Sequence, residues 1–154
     1  MSNKHSSVAV LLSAYNGISW IEEQILSILS QKDTSIEIFI SVDLSDDKTY
    51  EWCQDCAREN INIKVLPYGE RFGGAAKNFF RLIRDVDFSY FDYIALSDQD
   101  DIWGSSKLHH AIRAIKQDDL DGYSSDVIAF WANGREKLVK KSFPQKKLDY
   151  FFEA

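Results

Sequence analysis

Asp98, Asp100 and Asp101 set three carboxylates within four residues, in the string Leu96-Ser97-Asp98-Gln99-Asp100-Asp101-Ile102-Trp103. They follow directly on Tyr93-Ile94-Ala95-Leu96, an apolar run that reads as a buried strand. Carboxylates crowded at a strand end repel one another and gain little from packing. A hard divalent cation neutralises such a cluster, and carboxylate oxygens suit Mg²⁺ or Mn²⁺. The competing reading is an acidic loop that also caps a helix.

The elements that would carry this loop alternate along the chain. Val8 to Leu12 is a continuous apolar run, as expected of a parallel strand covered on both faces. Ser13-Ala14-Tyr15-Asn16-Gly17 breaks it. Ser19 and Glu22 have capping-box spacing, and Ile21, Ile25, Ile28 and Leu29 form a helical stripe. A strand over Ile36 to Val42 leads through Asp43-Leu44-Ser45-Asp46-Asp47 into a helix over about Lys48 to Glu59. A short strand, Ile63 to Leu66, is ended by Pro67, and the loop Tyr68 to Gly74 precedes a helix burying Phe79, Leu82, Ile83 and Val86. After the acidic loop, Leu108, Ala111, Ile112 and Ile115 stripe another helix. Val127 to Trp131 reads as a further strand, Lys137 to Lys141 as an edge strand, and Leu148 to Phe152 as the start of a last helix. Such alternation predicts an α/β fold with a mainly parallel sheet flanked by helices.

Ligands of open parallel sheets bind beyond the carboxyl ends of the strands. Tyr15 and Asn16 follow the first strand, Asp43 the second, and Asp98, Asp100 and Asp101 the fourth, so the unusual residues converge on one site. The first turn is neither a dinucleotide fingerprint nor a P-loop. Phosphate would then be held in another way, by a metal on Asp98 and Asp100 bridging a diphosphate, with Lys77 adding positive charge. Tyr15 would stack on the base, and Asp43 would accept a hydrogen bond from a base N–H or a ribose hydroxyl.

Four stretches resemble the motifs of family 2 glycosyltransferases: residues 10–17, residues 40–49, Gly73-Gly74-Ala75-Ala76-Lys77-Asn78, and Ala95 to Trp103. The last, with Lys107-Leu108 following, is especially close to the rhamnosyltransferase-like branch. The resemblance implies a GT-A nucleotide-diphospho-sugar-binding fold and a donor site formed by Ala14, Tyr15, Asn16, Asp43, Lys77, Asn78, Asp98 and Gln99. It also implies a divalent cation on Asp98 and Asp100. Asp101 has a second reading, as a cap on the segment opening at Ile102-Trp103. The implied activity is inverting transfer of a sugar from a nucleotide-diphospho-sugar to a polysaccharide or glycolipid acceptor.

Two departures from the family pattern stand out. Val42 and Leu44 replace an acid and a glycine of the second motif, which leaves nucleoside contacts to Asp43. Lys77 stands where arginine is common, keeping the charge without the bidentate geometry. The general base is expected in a downstream motif that this sequence does not show. Asp126 reads as structural at the start of a strand, and Asp149 and Glu153 as a solvated helix face. The expectation is one donor-binding domain over 1–154, either truncated or a natural short form. Its rivals are a non-catalytic nucleotide-sugar-binding or assembly module and a nucleotidyltransferase, though Ser13 to Gly17 is not the glycine-rich basic loop of the latter.

The totals agree with a folded domain of this kind. The chain has 154 residues, 45% of them hydrophobic, and a net charge of −6, which argues against a nucleic-acid surface. No apolar run approaches the roughly 20 residues of a membrane span, and a signal-peptide core is lacking, so a cytoplasmic location is expected. Lys137, Lys140, Lys141, Lys146 and Lys147 form a solvated face or a weak peripheral contact with anionic lipid at the inner face of the membrane. The aromatics Phe143, Tyr150, Phe151 and Phe152 read equally as core or as a contact with a partner chain, a homodimer included. Cys53 and Cys56 fall inside a helix, not at its start, and read as inert thiols. His109 and His110 are adjacent, so a helix points them about 100° apart, away from a shared metal. Trp103 is expected to pack beneath the acidic loop.

Overall fold

A computed structural model describes residues 5–140. They fall into two compact units, the first ending at His110 and the second starting at Ala111.

The first unit is built on four parallel strands in the order β3-β2-β1-β4. Strand β1 (Ser6–Ala14) is central, and from Val8 onward every residue is buried. It pairs along its whole length with β2 (Thr34–Val42), from Ser6 opposite Thr34 to Ala14 opposite Val42. On its other side β4 (Tyr93–Asp98) pairs from Val8 opposite Tyr93 to Ser13 opposite Asp98. Strand β3 (Ile63–Val65) completes the sheet beside β2. The order reverses between β1 and β4, and such a reversal opens a crevice at the carboxyl ends of the strands.

Helices α1 (Ile21–Leu29), α2 (Thr49–Glu59) and α3 (Ala75–Asp85) link these strands. Ile21, Ile25 and Ile28 of α1 are buried, as the stripe predicts. The Ser19–Glu22 capping box does not form: Trp20 is the N-cap and makes no side-chain cap bond. The backbone N–H groups of Trp20 and Ile21 instead donate to the Gly17 carbonyl, at 2.9 and 3.0 Å. Helix α3 packs on β1 and β2, where Leu82 and Val86 join Ala9, Leu11 and Phe39 in a core. Ile83, expected inside, is 45% exposed on the outer face of α3.

β4 is not the fully buried strand that its apolar run suggests. Ile94 and Leu96 are 47% and 55% exposed. They lie opposite Ala9 and Leu11, on the face that α3 covers only over β1 and β2. Ser97, on the opposite face, is buried.

Helix α4 (Lys107–Asp118) begins in the first unit, where Leu108 is buried, and Ile112 is buried in its continuation in the second. In the second unit, β5 (Val127–Phe130) and β6 (Glu136–Val139) pair as an antiparallel hairpin, from Val127 opposite Val139 to Phe130 opposite Glu136. The expected helix over Leu148 to Phe152, and Asp149 and Glu153 with it, lie outside the described residues. No helix among the described residues is long and apolar enough to cross a membrane.

Candidate functional site

The carboxyl ends of β1, β2 and β4 and the approach to α3 enclose a cavity of about 420 Å³. Tyr15, Ser13, Asp98, Gln99 and Asp100 line one part of it, and Asp43, Arg71, Gly73, Gly74, Ala75 and Asn78 the rest. Most of the predicted site residues therefore meet in one place. Ala14, Asn16 and Lys77 are not among the lining residues.

Asp43 is buried at the end of β2, and its carboxylate is largely engaged by backbone. Its Oδ1 accepts from the N–H groups of Leu44 (2.7 Å) and Phe72 (2.8 Å), and its Oδ2 accepts from Gly73 (2.8 Å). Burial works to raise this carboxyl, but the Phe72, Gly73 and Leu44 bonds outweigh it and hold it below the usual aspartate range. Asp43 thus stays charged and ties the 68–74 loop to β2. Gly73 supplies the left-handed backbone (φ 72°) that the loop needs as it enters α3.

Asn78, 1% exposed, does the same for the start of α3. Its Nδ2 donates to Ser13 Oγ (3.0 Å) and to the Ser41 carbonyl (2.9 Å), and its Oδ1 accepts from Ser41 Oγ. Buried Arg81, one turn on, donates to Ser41 Oγ (3.0 Å) and to the Pro67 carbonyl, with its guanidinium 5.1 Å from the Phe72 ring. A polar face of α3 therefore locks the ends of β1 and β2 to the loop. Lys77 is exposed on that helix, and Arg71 is the cation that lines the cavity. No spacing rule marked Arg71, which sits in an irregular loop whose path is set by Asp43 and Arg81.

The turn after β1 is knitted to the loop after β2. Asn16 adopts a left-handed conformation (φ 46°). Its N–H donates to Ser45 Oγ (3.1 Å), and its Oδ1 accepts from the Asp46 N–H (2.8 Å). Gly17 N–H donates to Thr49 Oγ1 (2.8 Å). Asn16 is thus turned toward these loop residues, while Tyr15 stands 45% exposed at the cavity. Ala14 is buried, its carbonyl accepting from the Asp43 N–H at 2.8 Å.

Gln99 holds Tyr15 from the β4 side. Its Oε1 accepts from the Tyr15 N–H (2.7 Å) and its Nε2 donates to the Tyr15 carbonyl (2.8 Å), which extends the β1–β4 ladder by one side chain. Asp98 and Asp101 both have carboxyls raised above the usual range. The causes are burial and then, for Asp98, the negative charges of Asp101 and Asp100. For Asp101, Lys107 works against burial while Asp100 adds to it. Asp98 and Asp100 line the cavity and Asp101 does not. Trp103 is buried behind the acidic loop, with Lys107 Nζ 5.2 Å from its ring, as the packing reading requires.

The remaining candidates stay away from the cavity lining. His109 faces Asp33 at 3.4 Å. Cys53 is buried in α2, and burial, then the neighbouring Cys56 and Asp47 charges, push its thiol up to about 12. Among the described residues no group of three or more His, Cys, Asp or Glu side chains converges on a metal position.

Residues 9–153 match the family described as Glycosyl transferase family 2. The chain belongs to family 2 of the glycosyltransferases. It is 49% identical over 144 residues to the dTDP-rhamnosyl transferase RfbG of Shigella flexneri, covering 93% of this chain and 50% of that protein. The putative teichuronic acid biosynthesis glycosyltransferase TuaG of Bacillus subtilis (strain 168) is 30% identical over 118 residues, covering 76% and 45%. This family 2 chain thus spans about half the length of the curated relatives it matches. Among solved structures, S. aureus TarS 1-349 has the same fold, with a TM-score of 0.63 at 21% identity over 90% of this chain and 38% of that one. A second structure of TarS 1-349 is in complex with UDP, with a TM-score of 0.62 at 19% identity, covering 84% and 43%. The GT-A-like α/β fold and the family resemblance are both borne out.

Proposed function

We propose that this chain is the donor-binding part of a glycosyltransferase that takes a sugar from a nucleotide-diphospho-sugar, by an inverting mechanism, for a saccharide or glycolipid acceptor. One observation carries this reading: a single cavity is lined at once by Tyr15, Arg71, Asp98 and Asp100. An aromatic face suits a base, and a guanidinium suits phosphate oxygens. Ala75, the first residue of α3, lines the same cavity, and the first turn of this helix holds no acidic residue that would oppose an anion there.

The donor set fits a divalent cation, Mn²⁺ or Mg²⁺. Asp98 and Asp100 offer hard carboxylate oxygens in one cluster, where partial burial and then the charges of Asp101 and Asp100 raise the Asp98 carboxyl. Two carboxylates with the remaining positions left to water and phosphate oxygens is the usual protein share of a Mg²⁺ site. When bound, the cation would neutralise charge on the diphosphate leaving group. Tyr15 orients the nucleoside, Gln99 fixes Tyr15, and Arg71 holds phosphate charge.

The cavity's carboxylates are Asp43, Asp98 and Asp100. Asp43 is committed to backbone and the other two to the cation, so the acceptor's proton goes to a group outside this lining. This favours donor binding over full turnover for the described residues. The 49% identity to a dTDP-rhamnosyl transferase supports a dTDP-linked deoxysugar as the first donor to test. Thermal melting with a panel of nucleotide sugars and Mn²⁺ tests the reading. A dTDP- or UDP-sugar is expected to raise Tm by preferential binding to the folded chain, and no shift across the panel contradicts it.

A further inference from the structure

The acidic loop is gripped from behind by one face of α1 that does not line the cavity. Gln24, Ser27 and Gln31 stand three and four residues apart, so they stack along one face of the helix and its C-terminal turn. Gln24 is fully buried and Gln31 is 8% exposed. Of the two orientations of the Gln24 amide, one satisfies every neighbour. In it the oxygen accepts from Ser97 Oγ (2.6 Å) and from the Trp103 indole N–H (3.2 Å), while the nitrogen donates to the Asp101 carbonyl and to Ser27 Oγ. Ser27 Oγ also accepts from the Trp103 backbone N–H at 3.0 Å. Gln31 donates to the Gly104 carbonyl (2.8 Å) and accepts from the Leu108 N–H (3.0 Å). The Lys32 N–H donates to the Ser105 carbonyl at 2.9 Å.

This pattern exceeds what packing a helix on a sheet requires. Apolar residues at 24 and 31 would bury as well, whereas a buried amide is favourable only when its partners are met. Nearly all the partners here are backbone groups or the indole of the segment 97–108, which an apolar face could not fix in register. The segment carries Asp98 and Asp100 into the cavity and leaves Asp101 outside it.

We propose that Gln24 and Ser27, seconded by Gln31, are positioning residues for the acidic loop: they set the separation and aim of Asp98 and Asp100, and so govern the cation-dependent part of donor binding. The inference rests on the donor-site reading above.

Titration calorimetry of the full chain with UDP and with dTDP, each with and without Mn²⁺, separates the possibilities. Gln24→Leu, of similar volume, is expected to cut the Mn²⁺-dependent gain in nucleotide affinity about tenfold while leaving the metal-free affinity within about twofold. Ser27→Ala keeps the fold if Gln24→Leu does not, and it is expected to lose part of the same gain. Ser27→Thr, which keeps the acceptor oxygen, restores it. A wild-type gain that Asp100→Ala abolishes but Gln24→Leu and Ser27→Ala leave intact, or metal-free and metal-dependent affinities falling together, overturns the positioning role alone. Absence of any Mn²⁺ gain in the wild-type chain overturns the donor-site reading and the positioning role with it.

Discussion

Gln99 pairs with the backbone of Tyr15 as a strand would, through bonds of 2.7 and 2.8 Å, so the residue between two acids of the loop sets the aromatic wall of the cavity. The aromatic part and the acidic part of the cavity are thereby one mechanical unit. A Cβ added at Gly17 would lie 2.1 Å from Gln99 Oε1, so this clamp depends on a glycine two residues past the tyrosine.

Gly17→Ala is expected to displace the Gln99 amide and free Tyr15. Because the obstructed atom ends a flexible side chain, the stability cost is that of the two hydrogen bonds, about 1–2 kcal/mol. Nucleoside diphosphate affinity falls more than stability suggests, and Gln99→Leu reproduces the effect. Urea denaturation and calorimetry check both, and unchanged affinity in either variant refutes the clamp.

Arg71 and Lys77 make opposite predictions for the phosphate charge. Arg71→Ala is expected to weaken nucleoside diphosphate binding roughly tenfold, the scale of one partly exposed charge-assisted contact. Lys77→Ala, on the exposed side of α3, changes it less than about twofold. Direct titration of both variants decides between them.

Acid should open the loop that Asp43 holds. Its folded-state carboxyl is depressed, so its contribution is fully present above the unfolded aspartate value of about 3.9 and is lost as pH falls through the lower folded value. Asp43→Asn is expected to cost about 2–3 kcal/mol at pH 7, by unpairing backbone N–H groups from a buried charge, and to flatten the acid limb. Chemical denaturation between pH 7 and pH 2 measures both. Asp47, depressed by Thr49 and Ile18 against its own burial, adds a limb of the same sign that the Asp43 variant leaves in place.

The helical thiols should be chemically quiet. With Cys53 buried and pushed up to about 12, and half-buried Cys56 raised by burial and then by Glu59, Glu22 and Asp55, thiolate is scarce at pH 7. Alkylation monitored by mass is expected to be slow at Cys56 and to reach Cys53 only on unfolding. Rapid labelling of Cys53 in the native chain contradicts this.

The strand-helix alternation and the convergence of Tyr15, Asp43, Asp98 and Asp100 were legible because strand ends in a parallel sheet fix where loops gather. What residue types did not reveal was the division of labour within that gathering. Asp43, Asn78 and Gln99 carry polar groups that suit a ligand equally well, yet their partners are mostly backbone and side chains of this chain. Arg71 has no sequence signature because its place depends on a loop held by Asp43 and Arg81. The exposed face of β4 is not legible in its apolar run, which says nothing of which helix reaches over it, and α3 packs chiefly on β1 and β2. The Ser19–Glu22 cap failed because Gly17 already starts the turn into α1.

The central claim is that Asp98 and Asp100 bind a divalent cation together with the diphosphate of a donor. Calorimetric titration with dTDP and UDP, with and without Mn²⁺, tests it most directly in wild type and Asp100→Ala. The account predicts at least about tenfold tighter nucleotide binding with Mn²⁺ in the wild-type chain and loss of that gain in the variant. Binding that ignores Mn²⁺, or a gain that survives Asp100→Ala, would contradict it.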